Sequence, residues 1–305
     1  MNNQHNRPPA VFDRRLLRRR RDRAAQNIRQ FDFLLTEVAE RLIERLDVVK
    51  RNFPLIVDLG GAYGGLAERL QQRIGTEHVI CMDTSFDMTR QTTTPAVVAD
   101  EEFLPFRSCS LDAVISNLTL HWVNDLPGAL VQIKQALKPD GLFLAALLGG
   151  ESLRELRQCL MEAEMAVSGG ASPRVSPFID PRDMGALMQR AGFALPVIDS
   201  DTITVHYSSL LKLMQDLRGM GASNATYNRL LQPTRRQVIL EATRLYQEKF
   251  ADADGKIPAT FQVVYAIGWA PHMSQPKPLR PGTAQHRLAD ALKTVENPAG
   301  EKAGH

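Results

Sequence analysis

Residues 54–70 read PLIVDLGGAYGGLAERL. An apolar run ends on Asp58, four glycines follow with Ala62 and Tyr63 set among them, and a helical pattern begins at Gly65. A strand that passes through a glycine turn into a helix is the place where an open parallel sheet binds its ligand, outside the carboxyl ends of the strands. The glycines let the backbone come close, and the helix start offers N–H groups that have no intrahelical partner. The carboxylate of Asp58 then selects among ligands. It would repel a pyrophosphate and attract the ammonium of an amino-acid group beside a sulfonium, so it points to S-adenosylmethionine rather than a dinucleotide.

Downstream the pattern alternates. We read strands at 54–59, 78–83, 95–99, 111–117 and 142–148 and helices at 65–74, 85–91 and 126–137, with KPDG at 138–141 as the turn that stops one helix and starts the next strand. Apolar runs separated by helical periods imply parallel βαβ units. Upstream, residues 13–50 read as helical, with Phe33, Leu34, Val38, Leu42, Leu46 and Val49 spaced by three and four. Beyond 150, helices are expected over 151–166 and 181–193 and a strand over 197–207. A helical block from 208 then interrupts the pair that this strand forms with a last strand at 260–270. The expected fold class is α/β, a doubly wound, mostly parallel seven-stranded sheet. Its expected division is a flexible tail 1–12, a helical arm 13–50, a core 51–207, a helical insertion 208–255, the last core strand 256–273 and a disordered tail 274–305.

The composition excludes several classes. Forty-four per cent hydrophobic residues in 305 support a sizeable core. The formal charge of +3 is local in origin: RRLLRRRRDR at 14–23 holds seven arginines against one aspartate. Without interleaved aromatics, that run reads as a solvated face or an arm for an acidic partner rather than a nucleic-acid site. Three isolated cysteines suggest neither disulfides nor zinc, and no metal is expected, since none of His78, His121, His206, His272 or His286 begins a His-x-Asp/Glu pair. No stretch approaches the roughly 18 apolar residues of a membrane span. The first thirty residues lack serine and threonine, which favours a bacterial cytoplasm over a mitochondrial matrix.

Two further acids sit at successive strand ends. Asp83 lies 25 residues after Asp58, where a carboxylate accepts from both ribose hydroxyls, and Asp100, with Glu101 beside it, is placed for the adenine amino group. Asn117 is expected to reach the cofactor through its backbone. His121, Trp122 and Asp125 follow the fourth strand, where they line the acceptor side or, in the plainer reading, Trp122 packs in the core and Asp125 caps the next helix. His121 is a candidate base without a visible partner, and no catalytic residue is assigned.

The order VDLGGAYG, CMD, ADEEFLPF, LDAVISN and LKPDGLF resembles that of class I S-adenosylmethionine-dependent methyltransferases over residues 45–150. Asp58, Gly60 and Gly64 match the family's Asp/Glu-x-Gly-x-Gly-x-Gly turn, and Ala62 departs from it; an alanine there is tolerated with a negative φ. A narrower resemblance rests on FDRRLLRRRRDRAA, LHWVNDLPGALVQIKQALKPDG, LLGGESLRELR and LMQDLRGMGASNA. These runs are similar to the respiratory complex I assembly factors, whose mitochondrial members are regarded as arginine hydroxylases of a complex I subunit, with malonyl-carrier-protein methyltransferases as relatives. The resemblance implies an adenosylmethionine enzyme acting on a protein side chain, by methyl transfer or arginine hydroxylation. The alternatives are carboxyl methylation of a carrier protein or small molecule, and a non-catalytic assembly chaperone.

Overall fold

The computed structural model describes residues 10–276 and 288–295. Two compact units divide at Pro271. The second contributes one described helix, Leu288–Leu292, where the sequence suggested disorder; residues 277–287 and 296–305 of that expectation, like residues 1–9 of the proposed tail, lie outside the described residues.

The first unit is built on seven strands: β1 (Leu55–Leu59), β2 (His78–Asp83), β3 (Ala96–Val98), β4 (Leu111–Asn117), β5 (Leu137–Leu148), β6 (Ala194–Tyr207) and β7 (Ile257–Trp269). Their order is β3-β2-β1-β4-β5-β7-β6, parallel except for β7, which runs antiparallel to both neighbours. The chain leaves β1 towards β2 on one side and returns to β4 on the other, so a crevice opens between the carboxyl ends of β1 and β4. Strands β1, β4 and β5 are buried on both faces, which explains their continuous apolar runs.

Helices cover both faces. On one lie α2 (Phe33–Asp47), α3 (Gly65–Gln71), α6 (Arg154–Ser168), α8 (Leu210–Gly219) and α9 (Arg236–Phe250); on the other lie α5 (Leu126–Ala136) and α7 (Pro181–Ala191). Leu34, Val38, Leu42 and Leu46 form the buried stripe of α2, as their spacing predicts. The expected continuous helix over 13–50 is instead two helices, α1 (Arg14–Ala24) and α2, joined by a 3₁₀ segment, Ala25–Gln30. This bend lets α1 fold over the crevice.

Three further expectations change. KPDG does not precede β5 but lies within it as an irregularity in its register with β4, with Asp140 at φ 65°. Helix 65–74 stops at Gln71, and short α4 spans only Phe86–Thr89. Part of the tail assigned to 1–12 is ordered: Phe12 is buried, pairs with Thr226, and packs edge-on against Trp122 at 5.4 Å.

Candidate functional site

The crevice has two ends with different electrostatics. At the β1 end, Gly60 and Gly61 both donate their N–H to the Met82 carbonyl, at 2.7 and 3.0 Å, which fixes the turn against β2. Gly60 (φ 72°) and Gly64 (φ 89°) take left-handed backbone, and a Cβ on either would run into Thr119 or Thr92. Ala62 also has a positive φ, 49°, contrary to the expected negative value. The turn forces this residue left-handed, and its N–H is used by Asp83 Oδ2 at 3.1 Å, so the methyl group adds strain of about 1–2 kcal/mol. Gly64 caps α3 and does not line the cavity described next.

That cavity, of about 280 Å³, is bounded by Gly60, Gly61, Ala62, Asp58, Asn117 and the α2 residues Leu35 and Thr36. Asp58 is fully buried, and among the described residues neither carboxylate oxygen has a hydrogen-bond partner. Burial, and then the charge of Asp83, push its pKa up to about 7. A Cβ at Gly61 would press into the Asp58 carboxylate, so that glycine holds room for it. Asn117 donates Nδ2–H to the Leu35 carbonyl at 2.8 Å and leaves its own Oδ1 without a partner. A buried anion and an unsatisfied acceptor on one cavity wall are what an ammonium-bearing ligand would satisfy. The residues therefore fit the methionine end of adenosylmethionine.

The other end is closed by α1. Arg14 donates to Asp100 at 2.6 Å and to Glu101, while Arg21 lies 3.1 Å from Asp83 and 3.5 Å from Glu101 and donates to Thr119 Oγ1 at 3.2 Å. Burial alone would lower the Arg14 pKa, but Glu101 and then Asp100 raise it, so this guanidinium stays charged. Glu101 is itself pushed up by burial against the pull of Arg14 and Arg21. Asp22 accepts from Ser85 Oγ at 2.5 Å, and Asn124 exchanges hydrogen bonds with the Phe12 backbone at 2.7 and 3.1 Å, pinning both ends of the arm. The acids proposed for ribose and adenine thus hold guanidinium groups, and the acidic partner expected for the arginine run is the chain's own cleft. Arg14 and Arg21 escaped the sequence reading; the signal was the stripe Arg14, Leu17, Arg21, Ala24 on one helix face, hidden among the other arginines.

The remaining predicted residues lie beyond the arm. His121 is buried, accepts from the Leu148 amide at 3.4 Å and touches Trp122 and Phe178. Burial and the nearby Arg21 push its pKa down to about 3, so the ring is neutral and a weak base. It lines a small void of about 60 Å³ with Arg21, Ala62 and Leu118. Trp122 packs with Phe12, Leu17 and Ala225, and Asp125 caps α5 by accepting from Gly128 at 2.9 Å, as the plainer reading had it. Tyr63, whose hydroxyl donates to Asp32 at 2.5 Å under Arg29, joins the cavity wall unforeseen.

Comparison with known proteins agrees with this geometry. A family described as "Methyltransferase domain" matches residues 13–196. The chain is 44% identical over 290 residues to the zebrafish (Danio rerio) protein named arginine-hydroxylase NDUFAF5, mitochondrial, covering 93% of this chain and 90% of that one. It is 42% identical to the human protein of that name, over 96% and 87%. A malonyl-[acyl-carrier protein] O-methyltransferase of Methylovorus is 34% identical over 86% and 90%. Among solved structures, Haemonchus contortus phosphoethanolamine N-methyltransferase 2, in complex with S-adenosylhomocysteine, superposes with a TM-score of 0.53 at 14% identity, over 84% of this chain and 60% of that one. The chain belongs to the methyltransferase-domain family, with the class I methyltransferase fold, in the branch that holds the arginine-hydroxylase NDUFAF5 proteins.

Proposed function

We propose that the chain is an S-adenosylmethionine-dependent enzyme that modifies an arginine side chain of a protein, a subunit of respiratory complex I. The observation that carries the cofactor is the buried, unpartnered carboxylate of Asp58 facing a cavity walled by the glycine turn. Asp58 would take the ammonium, with Asn117 Oδ1 beside it, and Gly60 and Gly61 keep the space in which it sits. Asp83 would hold the ribose and Asp100, with Glu101, the adenine, once Arg21 and Arg14 release them. When bound, adenosylmethionine supplies a sulfonium-activated methyl group and a positive charge at the β1 end. His121, neutral and beside Arg21, would orient the acceptor by hydrogen bonding rather than take its proton, and Trp122 would shield that side from water.

The arginine acceptor is supported by the relatives: those named arginine-hydroxylase align over nearly the whole chain. Among the described residues no helix is long and apolar enough to cross a membrane; a bacterial cytoplasm, with a mitochondrial matrix as the alternative, is the proposed location. Mass spectrometry of complex I subunits from a deletion strain tests the reading. An arginine peptide lighter by about 16 Da indicates hydroxylation and one lighter by about 14 Da methyl transfer. Unchanged subunit masses, with a carrier-protein carboxyl losing its methyl ester instead, would replace this reading by carboxyl methylation; no change in either would leave an assembly chaperone.

A further inference from the structure

The outer face of α1 borders a second cavity that the cofactor site does not use. It holds about 420 Å³, within the range of small-ligand sites, and lies between α1 and α8. Arg20 and Arg23 of α1 and Arg218 of α8 line it, with Asn27, Gln215 and Ser223 as further polar groups and Phe31, Ala24 and Gly219 as its apolar part. Gly219 is required there, because a Cβ would enter the Phe31 ring.

The charges in this cavity are unbalanced. Among the described residues no carboxylate lines it, and neither Arg23 nor Arg218 makes an ion pair. Arg20 donates to the carbonyls of Ser223 (2.8 Å) and Asn224, which holds its guanidinium in place without neutralising it. The carboxylate whose field does reach Arg20 is Asp13, already engaged by Arg229 at 3.5 Å and by the Leu16 amide at 3.0 Å. Burial, then the fields of Arg229 and Arg23, lower the Arg20 pKa against the opposing field of Asp13. Asp216, on the same helix as Arg218, is taken up by Lys212 at 2.8 Å.

We propose that this cavity is an oxyanion site for a phosphoryl group carried on a small organic ligand. Three guanidinium groups present forked donors that match a compact, multiply charged acceptor bidentately, whereas a single carboxylate would leave most of the positive charge uncompensated. The volume exceeds that of a bare phosphate, and the Phe31 ring offers a surface for an attached organic group. An anion there bridges arm and insertion, so its binding also holds α1 down over the crevice. The site is separate from the cofactor cavity, and its test does not depend on the reaction.

Calorimetry of the full chain with glycerol 3-phosphate and with inorganic phosphate, at fixed ionic strength, decides it. The expected result is saturable one-to-one binding, weakened at least tenfold in Arg218→Ala and abolished in the Arg23→Glu, Arg218→Glu double variant. Both residues are exposed and outside the core, so circular dichroism and the melting temperature should report an intact fold. Asp58→Asn should bind the phosphate ligands like wild type, separating this site from the proposed cofactor site. Tighter binding of glycerol 3-phosphate than of phosphate supports the organic carrier, and equal affinity would overturn that part of the proposal and leave the free ion as the ligand. A non-saturating response that acetate and chloride reproduce, unchanged affinity in Arg218→Ala, or preference for a glutamate-rich peptide over either phosphate ligand would overturn the proposal.

Discussion

The two ends of the crevice answer the same problem, buried carboxylates, in opposite ways. At the β1 end Asp58 has no cationic partner, the cavity stays open, and burial shifts the carboxyl group towards its neutral form. At the β2–β3 end Asp83, Asp100 and Glu101 are met by Arg14 and Arg21. The difference teaches that sequence position at a strand tip selects a residue for cation recognition without saying which cation is present. On the proposed reading one end is open to an external ammonium; the other is served by internal guanidinium groups.

The largest expected effect comes from breaking the served end. Arg14→Ala leaves Glu101 buried with only Arg21 near it, and losing one partner of a buried ion pair costs about 3–5 kcal/mol. Thermal or urea unfolding of the unliganded variant should show that loss. A loss below about 1 kcal/mol would mean the arm does not seal the cleft. Adenosylmethionine should restore a larger share of stability in this variant than in wild type, because ribose and adenine then meet acids that are no longer engaged.

The open end carries the next effect, and its sign is opposite to that of an ion-paired acid. The Asp58 pKa is raised from 3.8 to about 7, so the folded chain keeps a proton that the unfolded chain releases. Asp58's own contribution to the stability of the unliganded protein is therefore lost progressively as pH rises from about 4 to about 7, while His121, lowered from 6.5 to about 3, contributes the opposite slope below about 6.5. Asp58→Asn should remove the Asp58 slope and make the unliganded chain more stable at pH 8, on the order of 1–3 kcal/mol, by removing an unpaired buried charge. Urea titrations of both proteins across pH 4–8 measure it as the difference between them, in which His121 cancels; a difference that does not grow in favour of the variant as pH rises would contradict the account.

The smallest effect sharpens the turn between the two ends. Ala62→Gly relieves a left-handed alanine but frees the unfolded backbone, so a net gain of about 1 kcal/mol or less is expected, read as a small rise in melting temperature. A loss of stability would show that the Ala62 methyl, packed with Tyr63 and Met88, contributes more than its strain removes.

Much of the fold was legible because it is written locally. Asp58, Asp83 and Asp100 end apolar runs, and the parallel βαβ units follow from where helices interrupt those runs. What was not legible depends on contacts distant in sequence. The inward turn of Arg14 and Arg21 pairs them with residues 62–87 positions away, and nothing within a run of seven arginines sets them apart except their spacing. The φ of Ala62 follows from the grip of Met82 and Asp83 on the turn. His121 looked like a base because its type allows it; burial beside Arg21 removes that capacity. The break of the arm at Ala25–Gln30 carries no proline or glycine signal at all.

The most direct test of the central claim is calorimetry of adenosylmethionine binding at pH 7 in two buffers of different ionisation enthalpy, for wild type and Asp58→Asn. Wild type should bind with net release of a fraction of a proton, as the incoming ammonium draws Asp58 into its ionised form. The variant should bind at least tenfold more weakly with no proton release. Equal affinity in the two proteins, or binding without any proton exchange in wild type, would contradict the assignment of Asp58 as the receptor for the cofactor's charge.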